Sequence, residues 1–250
     1  MIEAHDLRKG FGDVRAVDGV TFEARAGEVF GVLGPNGAGK TTTLRLLATT
    51  IKPDGGTASV CSHDVARDPV AVRRNLGVLT AAIGLYPRLT AWENVAYFAN
   101  LYGLPKDVAE RRIRLLFDLL DMQGYADRRI DTFSTGMKQK VAIARAVVHD
   151  PPVLIFDEPT NGLDVLGART VTEFIRSCRA QGKCVLLSTH QMVDAAKLCD
   201  RVAIVHEGRV RAIGTVPELL SRTGAPDLEE AFLTLIGYQP TTRVEEAARA

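Results

Sequence analysis

The run Gly34-Pro35-Asn36-Gly37-Ala38-Gly39-Lys40-Thr41 fits the pattern G-x-x-x-x-G-K-[ST]. It stands between an apolar stretch, Val29–Leu33, and a stretch of helical spacing at 42–48. That order asks for strand, tight loop and helix. Glycines in such a loop let backbone N–H groups converge on phosphate oxygens, and the following helix adds its positive N-terminal end. Lys40 is placed to reach β- and γ-phosphates, and the Thr41 hydroxyl to ligate Mg²⁺. A chance match would need neither the strand in front nor the helix behind.

The rest of the chain agrees with a fold that can carry this loop. Short apolar runs at 153–156, 184–188 and 202–205 alternate with helical patterns at 167–180 and 191–199. Buried strands alternating with helices predict an α/β fold with a mainly parallel sheet covered on both faces. Further strands are expected at 57–61 and Leu76–Leu79, with Glu207-Gly208-Arg209 as a tight turn between two strands. Residues 90–149 turn helical, with Ala91–Leu101 and 108–120 separated by Gly103-Leu104-Pro105. A helix at Leu228–Ile236 and a polar Ala/Glu/Arg tail complete the chain.

Composition excludes several classes. With 250 residues, 46% hydrophobic and 24% charged, the chain is neither disordered nor a disulfide-stapled miniprotein. Lys+Arg 31 against Asp+Glu 30 offers no global attraction to nucleic acid. No apolar run reaches the roughly 18 to 20 residues that span a bilayer, and Met1-Ile2-Glu3-Ala4-His5-Asp6 does not resemble a secretory signal. Cys61, Cys178, Cys184 and Cys199 form no C-x-x-C pair, which fits reduced, mostly buried thiols and a cytoplasmic chain.

Three further places carry chemistry. The strand at 153–156 ends in Asp157-Glu158. A carboxylate at a strand tip beside a phosphate loop can hold Mg²⁺, and Glu158, one residue on, can polarise a water for in-line attack. Two adjacent acids are usually just solvated; their place after a buried strand favours function. His190 ends another buried strand, where ligands bind in parallel sheets, and is a candidate donor to the γ-phosphate. Ser134, in Phe133-Ser134-Thr135-Gly136-Met137, reads as the N-cap of an amphipathic helix. A helix tip bearing Ser and Gly is also an anion site. A second anion site in a chain that already has a phosphate loop suggests a site shared between two chains.

Taken together, the phosphate loop with Thr42, the run 133–137, Asp157-Glu158, Gly162-Leu163-Asp164 and His190 resemble the ATP-binding-cassette ATPases, the nucleotide-binding subunits of ABC transporters. The resemblance covers nearly the whole chain. It implies a P-loop NTPase (RecA-like) core at 1–80 and 151–215, an N-terminal antiparallel β region, and an inserted helical subdomain at 81–150. All of these lie in one ATPase domain at 1–236, with the C-terminal helix and tail at 216–250. It also implies that two subunits, as a homodimer, sandwich two ATP with Mg²⁺, each site joining Lys40 of one chain to Ser134 and Gly136 of the other. Asp164 then lines the interface, and Phe11 stacks on adenine. Read without the resemblance, Phe11 is a core aromatic.

Two departures from the family pattern stand out. The signature reads Phe-Ser-Thr-Gly-Met rather than Leu-Ser-Gly-Gly-Gln, and Ala81 stands about where members often place a Gln that reaches Mg²⁺. No metal ligand is therefore assigned at Thr80 or Ala81. The stretches 77–94 and 227–232 are similar to the exporter branch that works with ABC-2 type permeases, and Tyr97-Phe98-Ala99-Asn100-Leu101-Tyr102-Gly103 to its sodium-exporting members. Drug, polysaccharide and lipid exporters share much of this pattern. The expected function is an ATPase powering export through a separate permease, peripheral on the inner face of the membrane. Two alternatives are a soluble cassette ATPase acting on ribosomes or DNA, and a cassette that binds without turnover. One cassette and near-zero net charge argue against the first, and Lys40, Asp157, Glu158 and His190 against the second.

Overall fold

Short apolar runs buried on both faces form the inner strands of the main sheet. The computed structural model describes residues 1–80 and 84–238. Its strands are β1 (Ile2–Phe11), β2 (Val14–Ala24), β3 (Val29–Leu33), β4 (Gly55–Val60), β5 (His63–Asp64), β6 (Leu76–Leu79), β7 (Val153–Asp157), β8 (Cys184–Thr189), β9 (Arg201–His206) and β10 (Arg209–Gly214). Its α-helices are α1 (Lys40–Leu47), α2 (Pro69–Arg74), α3 (Ala91–Leu101), α4 (Lys106–Leu119), α5 (Thr135–Val147), α6 (Val165–Ala180), α7 (Met192–Leu198), α8 (Val216–Thr223) and α9 (Leu228–Ile236).

The larger sheet has the order β10-β9-β3-β8-β7-β6. Its five inner and far strands run parallel, and β10 pairs antiparallel with β9 at one edge. A smaller sheet, β2-β1-β4-β5, is antiparallel throughout. Both the parallel core and the N-terminal antiparallel region match the sequence reading.

Successive side chains on a strand point to opposite faces. Val153 and Ile155 on β7, with Cys184 and Leu186 on β8, pack between the two sheets against Phe30, Leu44 and Val20. Leu154 and Phe156, with Val185 and Leu187, turn to the other face and meet α5 and α6 through Ile143, Phe174 and Ile175. That cluster continues without a break into α3 and α4 through Val95, Ile113 and Phe117. Fully burying a side chain such as Phe156 contributes about 1.5–3 kcal/mol. A third cluster, Leu33, Ile204, Leu219 and Phe232, lets α8 and α9 cover the β9 end of the sheet.

Local signals set the helix ends. Thr90 caps α3 in a capping box with Glu93, and Thr215 caps α8 in the same way with Glu218. Helix α1 starts at Lys40, two residues before the stretch with helical spacing, because the glycine loop feeds directly into it. Helix α4 starts at Lys106, directly behind Pro105, rather than at 108. No described helix is long and apolar enough to cross a membrane.

Candidate functional site

The loop between β3 and α1 needs its glycines. A Cβ on Gly34 would lie 2.2 Å from the Val205 carbonyl oxygen, and one on Gly39 2.2 Å from that of Ala16. Gly39 also has φ +100°, a backbone state that side chains disfavour. The loop is therefore pressed against β2 and the end of β9. Pro35, Asn36, Gly37 and Ala38 complete the turn.

Lys40 is only 5% exposed. Its Nζ donates to the Gly34 and Pro35 carbonyls at 2.7 and 3.1 Å and lies 3.7 Å from Glu158 Oε1. Burial lowers its pKa, while the charges of Glu158 and Asp157 push it back up. The cation is thus held inside the loop that phosphates would fill. Thr42, next on α1, is half-buried.

Strand order brings the carboxylates in. β8 lies between β3 and β7, so the phosphate loop and the tip of β7 are two strand spacings apart, about 10 Å. Thr41 bridges that gap, its Oγ1 donating to Asp157 at 3.0–3.1 Å. Asp157 is 4% exposed and takes a second hydroxyl, from Ser188, at 2.5 Å.

Just beyond Asp157 the chain turns sharply: Glu158 has φ +52°, the left-handed region that non-glycine residues avoid. Its N–H donates to the Ser188 carbonyl and lies 3.2 Å from the Ser188 Oγ. The turn aims the Glu158 carboxylate between Lys40 and His190, whose Nδ1 is 3.0 Å from both Glu158 oxygens. Backbone strain of this kind concentrates at working sites.

Lys40, Thr41, Asp157, Glu158 and His190 therefore form one cluster at the C-terminal ends of β3, β7 and β8. Phe11 stays out of the core. It is 52% exposed, with Lys9 Nζ 5.6 Å from its ring centroid. Its turn sits at the rim of the phosphate loop, since Ala16, just past that turn, is the residue pressing on Gly39.

Ser134, Gly136 and Asp164 lie elsewhere. Ser134 caps α5, accepting from the Met137 N–H at 3.3 Å. Asp164 caps α6, accepting from the Gly167 N–H at 2.7 Å. Both line an open depression of about 560 Å³ together with Gly136, Lys140 and Gly162. None of the phosphate-loop residues lines it.

Sequence reasoning missed two supports. Gln139 is buried, and its Nε2 donates to the Pro159 carbonyl, tying α5 to the segment after Glu158. Ser188 is fully buried, bonded to the Asp157 carboxylate and to the Glu158 backbone N–H. The signal for Ser188 was available: it is the polar residue that ends the apolar run of its strand while staying buried. The expectation at Ala81 falls outside the described residues.

The oxygen set at Thr41 and Asp157 suits a hard divalent cation. Mg²⁺ typically takes one or two protein oxygens and completes its shell with water and substrate phosphates. Among the described residues, no group of three or more His, Cys, Asp or Glu side chains gathers as a metal cage.

The ABC transporter family model matches residues 17–161. The chain belongs to the ABC transporter family. It is 41% identical over 239 residues to the ABC transporter ATP-binding protein NatA of Bacillus subtilis, covering 94% of this chain and 97% of that one. It is 38% identical to a Nod factor export ATP-binding protein I of Burkholderia lata, covering 98% of this chain and 79% of the other. A solved ATP-binding subunit of an ABC transporter superposes with TM-score 0.88 at 34% identity, covering 94% of this chain and 99% of that one. A bacterial ABC transporter cassette solved as a dimer gives 0.79 at 25% identity, covering 86% and 98%. Like other members, this chain is the ATP-binding subunit of an ABC transporter, and its activity is ATP hydrolysis.

Proposed function

We propose that Lys40 and the loop N–H groups hold the ATP phosphates, Thr41 and Asp157 hold Mg²⁺, and Glu158 polarises the attacking water. Bound there, Mg²⁺ neutralises charge on the phosphate oxygens. The observation that carries this reading is the Glu158 carboxylate, turned out by its strained backbone to lie between the Lys40 ammonium and the His190 ring. Lys40 draws the γ-phosphate toward Glu158, and His190 Nδ1 fixes the carboxylate from the other side. Phe11 gives the adenine a face to stack on at the rim.

Ser134, Gly136 and Asp164 act on the ATP of a second copy. None of the chain's own phosphate-loop residues lines their depression, and the dimeric bacterial cassette supports a pair of this kind. Residues 81–150 are the helical subdomain that carries Ser134, and residues 216–250 the C-terminal extension. We further propose that the dimer sits on the inner face of a membrane against an ABC-2 type permease and drives export. The Nod factor relative supports that direction. The sodium expectation rests on the stretch 97–103 alone, and the transmembrane partner selects the cargo.

Glu158→Gln tests the core of the reading. It keeps the shape and removes the basicity, so hydrolysis should fall about 10²- to 10⁴-fold while ATP still binds. Two trapped ATP molecules would then hold a stable dimer in ATP and Mg²⁺, though not in ADP, as read by size-exclusion chromatography. Wild-type turnover in this variant would move the water-positioning role elsewhere, with His190 the first candidate.

A further inference from the structure

On one face of the parallel sheet, two apolar rows end in polar residues. Val153 and Ile155 lead to Asp157 along β7, and Cys184 and Leu186 lead to Ser188 along β8. The two ends are direct neighbours, because Asp157 pairs with Ser188 in the parallel register. On its other side Ser188 pairs with Val32 of β3, the strand that feeds the phosphate loop.

Ser188 is 0% exposed. A buried hydroxyl is costly unless bonded, and a Val at this position would continue the apolar row at no such cost. Here the hydroxyl is bonded twice, in a direction that chemistry fixes. A carboxylate only accepts, so the Ser188 proton goes to Asp157 Oδ1, at 2.5 Å. A backbone N–H only donates, so the Glu158 N–H, 3.2 Å away, points at a Ser188 lone pair. One hydroxyl thus joins the carboxylate that faces Thr41 to the backbone turn that aims Glu158.

We propose that Ser188 is a positioning residue for ATP hydrolysis: it fixes the Asp157 carboxylate for the metal and holds the Glu158 turn in register with it. Ser188 is fully buried, and it acts through the two acids. The inference rests on the roles proposed above for Asp157 and Glu158. Without the hydroxyl, Asp157 keeps Thr41 as its remaining side-chain donor among the described residues, and the Glu158 N–H keeps only the Ser188 carbonyl.

The test uses the full chain and reads metal dependence apart from turnover. ATP affinity is measured by equilibrium binding in EDTA and in Mg²⁺, alongside kcat and the Mg²⁺ concentration giving half-maximal rate. For Ser188→Ala we expect unchanged affinity in EDTA, at least a threefold loss of the affinity gained from Mg²⁺, and a kcat about tenfold lower. Ser188→Thr, which restores a hydroxyl, should recover most of both. If Ser188→Ala fails to fold, Ser188→Cys serves in its place, being close in size but a far weaker donor.

A wild-type Mg²⁺ gain together with a wild-type kcat in Ser188→Ala would overturn the proposal. So would an equal loss of affinity in EDTA and in Mg²⁺, which marks a purely structural residue. Lys40→Ala is run in parallel. If that variant binds ATP normally, the phosphate site itself is misassigned, a failure distinct from a silent Ser188.

Discussion

At the phosphate loop, Lys40 and Asp157 are 5% and 4% exposed, and each polar group is held by another of the same chain. At the start of α5, Ser134 is exposed and its hydroxyl takes a single N–H, from Met137. Asp164 is also exposed, and Val165 and Leu166 behind it are 84% and 75% exposed. Burial accounts for the contrast. Charges taken out of water must be paired inside the chain, so the first region is preorganised before any ligand arrives. A helix tip in water carries no such requirement and can wait for an anion from outside. On the function proposed above, the first region binds ATP alone and the second completes the site across a dimer.

The sharpest way to break that comparison is Lys40→Ala. It removes the cation held inside the loop, so hydrolysis should disappear and ATP affinity should fall severely. Equilibrium binding and phosphate release check both, and normal turnover would sink the assignment. The effect of Glu158→Gln ranks next, since binding survives it.

Ser134→Arg probes the opposite region. A bulky cation at the helix tip should cut ATPase activity at least about 10²-fold, the range seen when a positioned anion-stabilising donor is lost. Binding of ATP to the monomer should stay at the wild-type value. If monomer binding fell as far as hydrolysis, the two regions would not be separable. The smallest expected effect is at Phe11. Losing one aromatic stacking partner is worth about 0.5–1.5 kcal/mol, so Phe11→Ala should weaken ATP binding about two- to tenfold. An unchanged affinity would remove the ring from the adenine site and leave it as a rim residue beside Lys9.

Much of the fold was legible because period and punctuation are local. Leu76–Leu79 and Leu228–Ile236 begin and end where the pattern ends, and Glu207-Gly208-Arg209 does turn β9 into β10. The α1 boundary was less legible, since Lys40 and Thr41 are polar and lie outside the apolar spacing, although the helix starts with them. At the site, the motif residues were readable; Ser188 left a polar break at its strand end, but neither its role nor that of Gln139 could be read from it. Their roles come from strand and helix neighbours 31 and 20 residues away.

Sequence by itself determined that Gly34 to Thr41 carry the phosphate-loop pattern between a strand and a helix, that Asp157 and Glu158 end a buried strand, and that strands and helices alternate. These follow from short-range rules: glycine's freedom at positive φ, the proton chemistry of the side chains, and the two periods of apolar burial. Only the tertiary structure decided that β8 inserts between β3 and β7, so that Thr41 reaches Asp157 while Ser188 braces it from the intervening strand. It alone set Ser134 and Asp164 in a depression apart from the phosphate loop. Strand order is fixed by how the two apolar faces of the sheet are covered, a property of the assembled core that no local stretch of residues encodes.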